Sequence, residues 1–443
     1  MLAQKGFGRK TIFFYPFPSP ERGIRSSVVV KWSVMKRVIV IGGGVTGVLS
    51  AWELVRAGHA VTLVEARALG SGASSRSAAG IRAQFGVAST VRGIVYAERF
   101  FESWTGHFPQ SQPCFKRNGY LFLKNYAADL EAVRELVRMQ REAGLAEVEF
   151  LEKEEVDERW PFLDTTGVAA ATWCPRDGFL FPAIIYQDGA EAARALGAAI
   201  VQNDPVVGAE RSGSRATAVT LASGRRIEGD IFVNATGFLA GATSRLFGGR
   251  DLPIKVERRY LYFLAGLKAD SDWGLGLDDF PSLPMTITPA GAYCRPENAQ
   301  LMMGWQHFAR PVTATLDNQD EIEPGFGLGM AEYGAAVRKE IAQVLPSVQD
   351  MGKLVAVTSG FYDTTPDHNP LFGYDGAVEN LVHAAGLSGH GLMHAPFSAL
   401  IVAELVGRGG DVASFELPLG LGSVDLGLYA LGRSFDRCEG LVI

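Results

Sequence analysis

The chain has 443 residues, 47% of them hydrophobic and 20% charged, which is enough for two globular domains and too much for one ordinary core. A net charge of −6 and a pI near 5.8 leave no basic surface for phosphates, which excludes a nucleic-acid partner. The four cysteines, Cys114, Cys174, Cys294 and Cys438, form no C-x-x-C pair, and no histidine pair has metal-ligand spacing beside a carboxylate, so no metal site and reduced thiols are expected.

Residues 1–34 carry six basic side chains, one acid (Glu21) and the aromatic run Phe13-Phe14-Tyr15. They read as a non-structural extension, with a transit peptide as the alternative. The β-rich run Arg37-Val-Ile-Val-Ile41 then feeds into Gly42-Gly-Gly44-Val45-Thr46-Gly47 and a helix that ends near Ala57-Gly58. A second strand, residues 60–64, delivers Glu65 eighteen positions beyond Gly47. That order is a dinucleotide site. Gly42 permits the strand-to-helix turn, Gly44 lets a pyrophosphate approach bare backbone, and Gly47 allows close helix–strand packing. The helix N-terminus faces the phosphates and Glu65 accepts the ribose hydroxyls.

A stretch of small residues, Gly70 to Gly80, precedes Ile81-Arg82-Ala83-Gln84-Phe85-Gly86. A helix over 91–104, a strand over 119–123 and an amphipathic helix over 127–143 read as an inserted domain. The chain then returns to the first domain: a helix over 190–197, strand-like Ile200-Val201 and Val206-Val207, and a buried strand from Asp230 into Ala235-Thr236-Gly237. Strands over 259–266, 291–294 and 301–305 with a helix over 330–344 form more of the inserted domain, and from Leu354 the pattern again suits the first, ending in a helix over 392–407. The expected boundaries are therefore an extension 1–34; a nucleotide domain made of 35–90, 186–250 and 351–443, the last with a C-terminal tail; and a substrate domain made of 91–185 and 251–350. No run of about eighteen apolar residues exists, so no membrane span is expected, and the location is read as cytoplasmic or peripheral to a membrane.

Three segments carry a family resemblance. The late strand ending Ala235-Thr236-Gly237, the run Tyr362-Asp-Thr-Thr-Pro-Asp367 and the run Ala385-Gly386-Leu-Ser-Gly389-His390-Gly391 occur in this order after the N-terminal motif. Together they resemble the D-amino-acid-oxidase-like family, which includes sarcosine oxidases, glycine oxidase, dimethylglycine dehydrogenases and dye-linked L-proline dehydrogenases. The resemblance runs from about residue 35 to about residue 407, and its start at Met35-Lys36-Arg37 favours the extension reading of what precedes it. It implies an α/β fold with an FAD-binding Rossmann-like domain and a second substrate domain on a mixed β-sheet. It further implies FAD along Gly42, Gly44, Val45, Thr46, Gly47, Glu65, Ala66, Ser74, Ser75, Arg76, Ala78, Ala79, Val206, Val207, Ala235, Thr236, Gly237, Gly386, Gly389, His390, Gly391, Leu392 and Met393. The glycines at 386, 389 and 391 let backbone pass close to a planar ring, and the helix after them aims its positive end at the flavin pyrimidine.

Arg82 matches the arginine with which sarcosine-oxidase-like members clamp the substrate carboxylate, a task suited to a guanidinium fork. Two positions depart from the family pattern. Met302 stands where monomeric sarcosine oxidases carry an oxygen-activating lysine, and Met393 where they have a second carboxylate-binding lysine; either His394 substitutes for it or Arg82 acts alone. The places of covalent attachment in relatives are Gly360 and Ser77 here, so FAD is expected without a covalent link. Tyr293 and Tyr260 are candidate pocket walls. The resemblance thus implies an FAD-dependent dehydrogenase of a small amino acid, L-proline or sarcosine first, with Arg82, Tyr293, His394 and Met302 at its centre and a dye or quinone as electron acceptor. Oxidation of glycine or D-amino acids by oxygen, or a non-catalytic role in complex assembly, are the alternatives, and either a homo-oligomer or partner subunits are compatible with the chain.

Overall fold

The structure, a computed structural model, describes residues 11–15, 27–31, 34–265, 282–324, 326–327 and 332–440. At its centre is a six-stranded sheet in the order Ala199–Val201, Ala60–Val64, Arg37–Ile41, Ile231–Asn234, Leu381–Ala385, Leu371–Tyr374. The first five strands run parallel, while Leu371–Tyr374 pairs antiparallel at the edge. Val38, Ile39, Val40 and Ile41 are all buried, as a central strand covered on both faces requires. The helix Val45–Arg56 packs against both Pro182–Ala195 and Gly391–Arg408 over this sheet.

The second layer is a mixed sheet in which Lys255–Ala265, Gln300–Trp305, Ala292–Glu297, Met285–Ile287, Tyr120–Lys124, Ala170–Cys174 and Glu149–Glu152 lie side by side. Met285–Ile287 and Tyr120–Lys124 run parallel and their neighbours antiparallel. The amphipathic helix is Leu130–Glu142, started by Asp129, whose carboxylate accepts from Ala132 N at 3.1 Å.

Several expectations are corrected. Leu354–Thr364 does not return to the nucleotide sheet: it pairs antiparallel with Lys255–Ala265 along almost its whole length, so the second sheet extends past the expected boundary at 351. This strand has no regular alternation of apolar and polar residues, so nothing local reveals which sheet would pair with it. The helix expected over 91–104 is Ala88–Glu102, and it packs on Gly391–Arg408 within the nucleotide-domain core rather than in the inserted domain. The helix expected over 190–197 begins at Pro182, whose fixed φ suits a helix's first residue, and so crosses the expected boundary at 185. Val206–Ser212 leaves the main sheet for a separate three-stranded one. The strand expected over 259–266 starts earlier, at Lys255, and Gly266 lies outside the described residues, as do the first two residues of the helix expected over 330–344, which is Glu332–Ile341. In the N-terminal extension Thr11–Tyr15 and Ser27–Lys31 pair as antiparallel strands, where no structure was expected. Among the described residues no helix is long and apolar enough to cross a membrane, and no cluster of His, Cys, Asp and Glu has the makings of a metal site.

Candidate active site

A long cavity runs from the carboxyl ends of the parallel strands to the start of the Gly391–Arg408 helix. One end is lined by Glu65, Ala66, Pro205 and Val206; the middle by Gly42, Gly44, Val45, Thr46, Ser74, Ala235, Thr236 and Gly237; the far end by Ser77, Gly360, Tyr362, Asp363, Gly389, Gly391 and Leu392. Backbone sterics explain the glycines. A Cβ on Gly47 would overlap the Gly42 carbonyl oxygen, and one on Gly42, at φ +107°, would overlap that of Ala235. A Cβ on Gly44 would meet only Ser74 Oγ, at 3.1 Å, so its bare backbone is left open to the cavity. Ser74 Oγ accepts from Val45 N at 3.1 Å, while the N-cap residues of the Val45–Arg56 and Gly391–Arg408 helices, Gly44 and His390, make no side-chain cap bond of their own. Two positive helix ends thus reach one cavity.

Glu65 accepts from Gly43 N at 2.6 Å and from Arg67 N at 2.8 Å, which fixes its carboxylate at the end of the second strand. A carboxylate has about four acceptor positions, so those bonds leave room for ribose hydroxyls. At the far end Asp363 accepts from Gly386 N at 2.9 Å and Leu387 N at 3.3 Å and holds the glycine loop; burial pushes its carboxyl up to about 6. Gly386 itself turns the chain at φ +64°. The bare glycines, the helix N-termini and the fixed carboxylate match the pyrophosphate and ribose of a dinucleotide, so the residues fit FAD.

Against the far end lies a second, smaller chamber, lined by Ser77, Ala78, Gly80, Arg82, Tyr120, Met285, Tyr293, Tyr362, Gly389, His390 and Met393. Ser77, Tyr362 and Gly389 belong to both walls. Arg82 is fully buried, its guanidinium 4.3 Å from the centre of the Phe85 ring and 5.3 Å from that of Phe122, and Nη1 donates to Gln84 O. Burial lowers its proton affinity, which Tyr120, Glu439 and Asp177 oppose. Tyr293 occupies the space left by Gly304, where a Cβ would strike its ring, and its hydroxyl reaches that of Tyr362; burial and Tyr362 push it well above the ordinary phenol range. Burial, Arg82 and His394 lower His390, so it faces the chamber uncharged.

The expected site residues therefore separate. Arg82, Tyr293, His390 and Met393 meet in the small chamber, with Ala78. Gly42, Gly44, Val45, Thr46, Glu65, Ala66, Ser74, Arg76, Val206, Ala235, Thr236, Gly237, Gly389, Gly391 and Leu392 line the long cavity. Gly47, Ala79 and Gly386 shape its walls from behind. Ser75 and Val207 lie outside it: Ser75 is exposed, and Val207, 54% exposed, sits on the outer face of its strand because side chains alternate there with Val206 inward. His394 stands one layer behind the chamber, against Phe85, with Nδ1 3.1 Å from His390 O; burial lowers it to about 4. Met302 also stands behind the chamber wall, in an apolar cluster with Tyr120, Phe122, Leu261, Met285, Ile287 and Tyr293. Tyr260 is not a pocket wall: its ring stacks on Phe326 at 4.1 Å in the core of the second sheet. Gly360 and Ser77 both face the long cavity, and a Cβ on Gly360 would press on Arg76.

Sequence reasoning missed Tyr120 and Met285 in the chamber, and it quoted Tyr362 without giving it a site role. Tyr120 and Met285 sit on neighbouring parallel strands in register with each other, a pairing no local pattern announces.

Comparison with known proteins agrees with this geometry. A family model described as "FAD dependent oxidoreductase" (DAO) matches residues 37–405. The chain is 26% identical to the Bos taurus "FAD-dependent oxidoreductase domain-containing protein 1", over 84% of this chain and 81% of that one. It is 28% identical to the glycine oxidase of Bacillus licheniformis, over 83% and 92% of the two chains. The crystal structure of L-proline dehydrogenase from P. horikoshii superposes with a TM-score of 0.73 at 26% identity, covering 85% of this chain and 94% of that one.

Proposed function

This chain belongs to the FAD dependent oxidoreductase family, with FAD as its cofactor, and on that premise we propose that it dehydrogenates small amino acids, secondary ones such as L-proline or sarcosine first. The observation that carries this reading is the buried Arg82 in a small, aromatic-walled chamber that shares Ser77, Tyr362 and Gly389 with the long cavity. The names of the L-proline dehydrogenase and glycine oxidase relatives support the substrate class.

Arg82 holds the substrate carboxylate. Its fork offers two parallel N–H bonds in a site sealed from water, where a charge-assisted pair is strong. Tyr120, Tyr293 and Tyr362 wall the chamber with rings and offer hydroxyls to the polar end of a ligand. His390 and His394, both lowered by burial, stay uncharged at neutral pH, so neither repels an incoming ammonium nor competes for the carboxylate. The chamber's small size limits the side chain it admits. When bound, without a covalent link at Gly360 or Ser77, FAD supplies the hydride acceptor, and the product leaves as an imine that water hydrolyses. Met302 lies in the apolar cluster behind the chamber wall and supplies no cation there, in keeping with a dye or quinone as acceptor and a slow reaction with oxygen.

Anaerobic titration of the holoprotein with L-proline, sarcosine, glycine and D-alanine tests the reading. Loss of the oxidised flavin band is expected with a secondary amino acid, and the reduced protein should reoxidise much faster with a dye or quinone than with oxygen. A flavin that no amino acid bleaches would favour the assembly role, and rapid reoxidation by oxygen would make the protein an oxidase.

A further inference from the structure

Arg82 is not held by its own side chain alone. The loop that bears it hangs from Asp177, whose Oδ1 accepts from Ala83 N at 2.9 Å and whose Oδ2 accepts from Gln84 Nε2 at 2.8 Å. Gln84 also donates to Tyr120 O at 3.2 Å and accepts from Thr172 Oγ1 at 2.7 Å. Asp177 is fully buried, and on its other side stands Glu98, from the middle of the Ala88–Glu102 helix and equally buried.

The Glu98 side chain lies in hydrogen-bonding reach of Asp177, yet among the described residues no N–H or O–H group donates to either of its oxygens. Its ion-pair contact is Arg176 Nε at 3.5 Å, and Arg176 is shared with Glu102 at 2.9 Å and Glu147 at 3.3 Å. Two ionised carboxylates are both acceptors and repel in a dry site; the contact needs a proton between them. Burial and Asp177 push the Glu98 carboxyl well above its ordinary range. Burial raises Asp177 as well, opposed by Gln84, Ala83 N–H, Glu98 and Arg82; because Asp177 accepts two N–H bonds and Glu98 none, Glu98 holds the proton and Asp177 the charge. The other groups facing the pair are the Cys174 thiol and, through Arg82, Tyr120 and Glu439.

We propose that Glu98 is a positioning residue for carboxylate binding: its proton, donated to Asp177, keeps Asp177 bonded to the Arg82 loop, and losing that proton weakens the hold of Arg82 on a substrate carboxylate. The inference rests on the reading of Arg82 as the clamp. Ionising Glu98 adds a second negative charge behind Arg82 and sets it against Asp177, so the affinity for an anion falls as pH rises. Linkage requires the converse, that a carboxylate arriving at Arg82 draws a proton onto the pair.

The test is titration of the FAD-loaded protein with propionate, followed by the visible flavin spectrum from pH 6 to 10, with calorimetry in phosphate and Tris buffers to count protons. In the unmodified protein the dissociation constant should rise about tenfold per pH unit above the Glu98 transition, with proton uptake on binding. Glu98→Gln keeps a donor for Asp177 and has no proton to lose; it should bind as tightly as the unmodified protein does at low pH, with a flat profile and no uptake. Asp177→Asn should weaken binding across the whole range. Glu98→Gln with full FAD and an unchanged slope and uptake would overturn the proposal. Should that variant not fold, absence of proton uptake by the unmodified protein anywhere in the range overturns it equally. A failure of the clamp itself is separate: Arg82→Lys would then bind propionate as well as the unmodified protein does, and both readings fall together.

Discussion

The long cavity and the small chamber meet at Ser77, Tyr362 and Gly389, yet they are built from different materials. The middle of the cavity depends on backbone: a turn at Gly42, open backbone at Gly44 and the N-termini of two helices. The chamber is walled by side chains that arrive from the Arg82 loop, three strands of the second sheet, the Tyr362 strand end and the start of the last helix. A backbone-built site tolerates few residue types, because a single Cβ blocks it. A chamber of side chains tolerates many and takes its chemistry from one or two of them.

The largest effect should therefore come from the cavity. Gly47→Val places two branches where not even a Cβ fits against Gly42 O, and it should destabilise the protein on the order of 4 kcal/mol and abolish FAD retention. Urea unfolding and flavin content check this; normal FAD content would show that the helix and strand have slack.

The next effect is a pH dependence of the cavity's far end. Burial pushes the Asp363 carboxyl up to about 6 in the folded protein, whereas an ordinary aspartate gives up its proton near 3.8. The folded state binds more protons between those values, so this contribution is fully present below 3.8 and is lost as pH rises through 6, a change of roughly 3 kcal/mol. Asp363→Asn should remove that slope from the urea midpoint measured between pH 4 and 7. A parallel slope in the variant would assign it elsewhere.

In the chamber the effects are smaller and selective. Arg82→Lys keeps the charge but loses the fork, and catalytic efficiency should fall tenfold to a hundredfold, about 1.4–2.8 kcal/mol, with FAD content intact. Smallest is Met302→Leu: the side chain is 1% exposed in an apolar cluster, so a swap of similar volume should cost less than about 1.5 kcal/mol and leave the rate of reoxidation by oxygen unchanged. A marked change in oxygen reactivity would bring Met302 back to the site.

The same difference explains what could be read from the chain. Gly42, Gly44, Gly47 and Glu65 were legible because strand, turn, helix and acid are consecutive and each glycine answers a steric demand. Arg82 and Tyr293 were legible only through resemblance, since an isolated arginine or tyrosine carries no local pattern. Tyr120 and Met285 were not legible: parallel strands that lie 165 residues apart bring them together. The strand Leu354–Thr364 was misplaced because its sequence has no regular alternation to assign it to either sheet, and only pairing with Lys255–Ala265 decides. His394 and Met302 were one layer out, for adjacency in sequence to His390 or alignment to a lysine does not fix which way a side chain faces.

The central claim is that one region holds the cofactor and the other, through Arg82, holds the substrate carboxylate. Propionate titration of the holoprotein at pH 7, followed by the flavin spectrum in the unmodified protein and in Arg82→Lys, tests it most directly. The account predicts a saturable spectral change whose midpoint moves at least about tenfold higher in the variant, with equal FAD content in both; the same midpoint in both proteins would contradict it.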